Sequence, residues 1–155
     1  MRPAKKPSSC TGCPALNWGV GFVPPEVPVR QIDQILVGQG PGETEAKFSR
    51  PFHPEAPAGR TMTRWLNEAG LQRTRTLLTN VVWCWMPKAK PKGMPVGNRE
   101  PTAPEISFCR SAHLDPFLKE YSEEIPRILV GAPAARSFLG VEAISKYNGT
   151  FVWRD

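Results

Sequence analysis

The protein has 155 residues, 40% hydrophobic and 22% charged, a size and balance that fit one ordinary domain with a real core and exclude wholesale disorder or a coiled coil. Its 13 Gly and 18 Pro follow no period, which excludes collagen and marks a loop-rich globular chain. Twenty Lys and Arg against fourteen Asp and Glu give +6 and a pI near 9.4, a balance suited to a polyanionic partner without identifying one.

No apolar run approaches the roughly 18 residues of a membrane helix. Arg2, Lys5 and Lys6 are followed by Pro, Ser, Cys and Gly rather than a signal-peptide core. A cytoplasmic protein with no membrane partner is expected, and a monomer. In a reducing compartment four cysteines point to metal or chemistry before two disulfides.

Residues 1–31 carry Cys10 and Cys13 as CxxC and a Pro-dense link, Val23-Pro-Pro-Glu-Val-Pro-Val29. Pro breaks both kinds of backbone ladder, so this reads as an extended arm tied down by its cysteines and packed on the domain formed by residues 32–155. The first strand, Gln34 to Val37, runs into the turn Gly38-Gln-Gly-Pro-Gly42. Met62, Trp65, Leu66 and Ala69 stand at helical spacing within residues 60–71, ending at Gly70. The second strand is Thr76 to Val82, apolar enough to be covered on both faces. A basic loop from Met86 to Arg99 holds Lys88, Lys90, Lys92 and Arg99. Thr102 caps a helix in which Ile106, Cys109, Ala112, Leu114 and Phe117 recur with helical period, and Pro116 is expected to kink or end it. Arg127 to Val130 is a third strand, Ala134 to Leu139 a short helix, and Val141 to Tyr147 a last helical stretch. This alternation predicts an α/β fold, a three-layer α/β/α sandwich around a mostly parallel sheet.

One site accounts for every cysteine: Cys10, Cys13, Cys84 and Cys109. A tetrathiolate suits either zinc or an iron–sulfur cluster, and spacing alone does not choose between them. For any single cysteine, burial as a small hydrophobe is the commoner role. The glycine turn lacks both the GxGxxG and the P-loop pattern, but it frees the N–H groups of Gln39 and Gly40 to donate at the carboxyl edge of the sheet. Asn80, at the end of the second strand, offers a donor and an acceptor together, as reading a nucleobase edge requires; as a lone residue it is more often a turn former. Phe52 stands in a loop where the core does not call for an aromatic, which suits a stacking platform, a loop-anchoring hydrophobe being the alternative. His53 and His113 read as surface or capping residues.

Taken in order, Cys10-Thr-Gly-Cys13, Gly38-Gln-Gly-Pro-Gly-Glu-Thr-Glu45, Arg50-Pro-Phe52, Ala58-Gly59, Thr79-Asn80-Val-Val-Trp-Cys84, Asn98-Arg-Glu-Pro-Thr102 and Glu105 to Cys109 resemble the uracil-DNA glycosylase superfamily, specifically its iron–sulfur family 4. The resemblance implies a DNA-repair enzyme that hydrolyses the N-glycosidic bond of uracil in DNA. It implies a [4Fe–4S] cluster, with zinc the alternative, on Cys10, Cys13, Cys84 and Cys109. It further implies that Phe52 stacks on uracil, that Asn80 binds its edge and that Gly38 to Gly42 is the first catalytic motif, with Gly38, Gln39 and Gly40 against the base. Lys88, Lys90, Lys92 and Arg99 would meet phosphate.

Two departures stand out. Gln39 replaces the family's usual Glu, and an amide cannot serve as a general base; Glu43 and Glu45 are the nearby carboxylates that could substitute. No counterpart of the family's later His-Pro-Ser segment precedes Asp155, so a domain lacking its C-terminal motif is expected. Lys88 to Val96 reads as an insertion. The competing function is a weakly active or non-catalytic metal-bearing module that binds uracil or single-stranded DNA.

Overall fold

The computed structural model describes residues 2–88 and 97–153. Three parallel strands form the sheet in the order β2-β1-β3: β1 (Gln34–Gly38), β2 (Thr76–Asn80) and β3 (Arg127–Leu129). Between β1 and β2 lie α1 (Glu43–Phe48) and α2 (Pro57–Glu68). Between β2 and β3 lie α3 (Ala103–Cys109), a π-helical turn (Arg110–Leu114) and α4 (Asp115–Leu118), and α5 (Ala132–Leu139) follows β3.

Period-two alternation along the central strands divides the apolar side chains between two faces. Ile35, Val37 and Leu77 pack with Cys109, Leu114, Leu118 and Ala134 beneath the α3–α5 layer. Leu36 and Leu78 pack with Met62 and Leu66 of α2. The expected three-layer α/β/α arrangement follows.

The Pro-dense arm lies along the open edge of β2, where Glu26 and Leu78 exchange both backbone hydrogen bonds, at 2.9 and 3.0 Å. That pairing covers an otherwise unpaired strand edge. Farther along, Val20 bridges to Trp85.

Several elements differ from expectation. The helix α1 is unannounced in the sequence because it is only six residues long. Trp65 stands on α2 but is 49% exposed, since Met62 and Leu66 already fill the stripe that meets the sheet. Pro116 neither ends nor sharply breaks the helix: the π turn just before it loosens the i→i−4 ladder where the ring would clash. The stretch Val141 to Tyr147 forms only a short 3₁₀ turn, Ile144–Tyr147. No helix among the described residues is long and apolar enough to cross a membrane.

Candidate functional site

Register places the first candidate group. Gly38 is paired with Asn80 across β1 and β2, and Val81 and Val82 donate to the carbonyls of Gly38 and Gln39 at 2.9 and 3.2 Å. The glycine turn is thereby stitched to the carboxyl end of β2. A Cβ at Gly38 would lie 2.5 Å from Asn80 Oδ1 and 2.6 Å from the Phe52 ring, and one at Gly40 would lie 2.7 Å from a Val82 methyl. Both glycines are therefore required for space. Gly38, Phe52 and Asn80, far apart in sequence, meet at one point.

Asn80 is 2% exposed. Its backbone carbonyl accepts from Trp83 Nε1 at 3.0 Å, but its side-chain Nδ2 has no hydrogen-bond partner among the described residues. A buried amide left so costs about 1–3 kcal/mol, which a ligand with a carbonyl acceptor would recover. Among the described residues the N–H groups of Gln39 and Gly40 also lack a partner, and the Gln39 side chain is half-buried.

Phe52 corrects one expectation. Its ring is 6% exposed and packs with Leu36, Met62, Leu66 and Leu78, so the core does use this aromatic. Its backbone has φ +48°, and Gly59 lets that loop approach α2, because a Cβ there would collide with the carbonyls of Phe52 and His53.

Glu45 explains how turn and loop are joined. It is 4% exposed; Oε2 accepts from Gly42 N at 2.6 Å and Oε1 from Phe52 N at 2.7 Å. Burial pushes its carboxyl above the usual range, against the pull of those two N–H groups and of the His53 and Arg73 charges. Both oxygens are thus committed to backbone. Glu43, on the first turn of α1, is exposed.

The second candidate group is the cysteines. Cys10, Cys13, Cys84 and Cys109 are all free thiols lining one small cavity with Phe22, Trp83, Met86 and Phe108. Gly19 is needed beside it, since a Cβ would lie 2.5 Å from Cys84 Sγ. Burial pushes the Cys84 thiol up to about 11 and that of Cys109 up to about 12, and burial together with Cys13 raises Cys10. Lys6 opposes this at Cys10 and Cys84; its Nζ is fixed by the carbonyls of Ala15 and Leu16 at 3.0 and 2.7 Å. No three His, Cys, Asp or Glu among the described residues are grouped to hold a single metal ion. Soft thiols around an apolar cavity suit a larger thiolate-bound centre, whose positive charge would overturn the preference for neutral thiols.

The model of the Uracil DNA glycosylase superfamily matches residues 24–154, most of the chain. The chain belongs to that superfamily. It is 35% identical over 124 residues to a type-4 uracil-DNA glycosylase of Sulfurisphaera tokodaii, an alignment covering 79% of this chain and 49% of that protein. It is 33% identical over 108 residues to a type-4 uracil-DNA glycosylase of Thermotoga maritima, covering 68% and 49%. A third, from Pyrobaculum aerophilum, is 31% identical over 101 residues, covering 65% and 45%. The chain thus spans about half the length of the curated relatives it matches.

Within this superfamily member, the basic loop shows a divided character. Lys88 is exposed next to the antiparallel Pro87–Asn98 bridge; Lys90 and Lys92 lie outside the described residues. Arg99 is instead engaged by Glu105 through two hydrogen bonds at 2.7 and 2.9 Å, and Glu105 Oε2 also accepts from Thr102 N at 2.7 Å. The Arg99 hydrogen bond is the chief reason the Glu105 carboxyl falls below the usual range.

The histidines divide as well. His53 is a turn residue, its Nδ1 accepting from Glu55 N at 3.2 Å. His113 is buried rather than surface: Nε2 lies 3.3 Å from Cys10 Sγ, and its ring stacks on Trp83 with centroids 5.3 Å apart. Its sequence position, four residues after Cys109 and so one helical turn on, was the available signal.

Proposed function

We propose that this protein is a DNA-repair glycosylase hydrolysing the N-glycosidic bond of uracil in DNA, with Gly38, Gln39, Gly40, Phe52 and Asn80 as its base pocket. The observation that carries this reading is the buried Asn80 Nδ2, without a partner among the described residues, at the point where Gly38 lets the Asn80 side chain and the Phe52 ring close onto the end of β1. Uracil presents a carbonyl acceptor next to an N–H donor, and the Asn80 amide offers the complementary pair; cytosine reverses part of that pattern. Stacking on Phe52 would offset part of the few kcal/mol needed to extrude the base. Bond cleavage leaves negative charge on the departing base and positive charge on the sugar. The free N–H groups of Gln39 and Gly40, aimed at a uracil oxygen, would stabilise the former without reorganisation. Lys88, with Lys90 and Lys92, would supply phosphate contacts.

Cys10, Cys13, Cys84 and Cys109 would hold a [4Fe–4S] cluster, which when bound supplies a structural cross-link rather than chemistry at the base. The thiols come from the arm, the segment after β2 and the end of α3, so ligation fastens three otherwise separate stretches.

A second reading, recognition of uracil with little or no hydrolysis, is favoured by one specific observation: Gln39 cannot ionise and both Glu45 oxygens are taken by backbone N–H groups. The deciding experiment is alkali scission of a uracil-containing oligonucleotide after incubation with the protein, against a thymine control. Release that falls about 10²-fold in Asn80→Ala supports hydrolysis; selective binding without release assigns recognition alone. Neither release nor preference for uracil would overturn both.

A further inference from the structure

We infer that Arg73, seated by Glu26 of the arm, is the positioning residue that holds Phe52 in its stacking orientation. This rests on the reading of Phe52 as the base platform. A φ of +48° is unusual for any non-glycine residue and a marked outlier for a bulky aromatic, so the surrounding groups must impose it.

They do so from both sides. The Phe52 N–H is taken by Glu45 Oε1 at 2.7 Å. Its carbonyl accepts from Arg73 Nη1 at 2.7 Å, and the preceding carbonyl, of Pro51, accepts from Arg73 Nη2 at 3.1 Å. One guanidinium therefore binds two successive carbonyls, a geometry that its planar fork permits and a lysine ammonium does not reproduce.

The other edge of the guanidinium is anchored by Glu26, with Nε to Oε1 and Nη2 to Oε2 both at 3.0 Å. Glu26 is itself fixed by its backbone exchange with Leu78, two residues before Asn80. The same carboxylate thus references the Phe52 loop to the strand that carries the edge-reading amide. Burial would raise Glu26, but Arg73 and Arg50 outweigh it and keep the carboxyl ionised. Arg73, at the start of the turn leading into β2, is itself largely buried.

The test is a double-mutant cycle of Arg73→Met and Phe52→Ala, read by uracil release and by hydrogen exchange of the Phe52 amide. In Arg73→Met, KM should rise and kcat/KM fall about tenfold. The Phe52 amide should exchange about tenfold faster while the Thr76–Asn80 amides keep their native rates. In the Phe52→Ala background Arg73→Met should cost nothing further, because its effect passes through that ring. Additive losses, or native exchange at Phe52, would overturn the assignment. Should Arg73→Met not fold, Arg73→Lys carries the test, with intermediate exchange expected and native exchange fatal. A wild-type protein that releases no uracil refutes the glycosylase reading, while the exchange measurement still decides the role of Arg73.

Discussion

Asn80 and Cys84 lie four residues apart on one segment, yet they belong to sites built on opposite terms. Around Asn80 the protein completes itself: Glu45 and Arg73 satisfy the Phe52 backbone from either side, Val81 and Val82 stitch the glycine turn to β2, and one amide donor is left over. Around Cys84 four thiols face one apolar cavity, and burial pushes those of Cys84 and Cys109 well above their ordinary value. On the proposed reading the first region is preorganised and would need a ligand only in order to act. The second would be completed by a metal centre, so its contribution would be to stability before function.

The largest effect should come from breaking the second region. Cys84→Ala or Cys109→Ala should lose the metal and loosen the arm, removing folding free energy on the order of 10 kcal/mol, with uracil release falling only as a consequence. Metal analysis and thermal melting check this; full metal content with an unchanged melting curve would refute the site. By contrast Gly38→Ala should leave metal content nearly native while lowering the melting temperature and abolishing uracil recognition, since the new methyl would push against Asn80 Oδ1 and the Phe52 ring. Native binding of uracil-containing DNA by that variant would move the pocket elsewhere.

Within the pocket, Gln39→Glu sharpens the distinction between recognition and catalysis. An ionised group near the sugar cation should raise uracil release by about 10²-fold or more if its absence limits the rate; single-turnover kinetics would show it. An unchanged or lower rate would mean that the neutral amide is already suited to its place.

Truncating Lys88, Lys90 and Lys92 together should weaken DNA binding alike for all sequences. The salt dependence on single strands should become shallower, by about 0.7 in log–log slope for each phosphate that is no longer neutralised. An equal slope would show that the loop faces away from DNA.

The smallest effect separates two carboxylates by sign. Glu26 lies below its ordinary value of 4.5, so its contribution is full above that pH and lost as pH falls through the folded value. Glu45 lies above 4.5, so its contribution is full below that pH and declines as pH rises through the folded value. Denaturation against pH should therefore show Glu26→Gln flattening the acid-side loss, by no more than about 1 kcal/mol for a partly exposed pair. Glu45→Gln should flatten the decline on the other side. Slopes of the same sign in both variants would contradict the two environments.

The strands and their mostly parallel arrangement were legible in the sequence, because short apolar runs bounded by Gly, Pro and polar caps carry those instructions locally, although β2 ends at Asn80 rather than Val82. Thr102 and Glu105 likewise announced the start of α3 through a capping box that needs only three residues' separation. The sequence also set out the four cysteines, whose common site follows from chemistry and an absence of any left over. It took the packed fold to show that Phe52 is part of the core, that Glu45 is spent on backbone N–H groups rather than exposed to a substrate, and that His113 lies against Cys10. Those outcomes depend on which residues distant in sequence are packed together and how far each is desolvated. Arg73 and Glu26 make the point most clearly: 47 positions apart, ordinary charged residues in a basic chain, they become a half-buried clamp only once the arm pairs with β2 and the Phe52 loop folds over both.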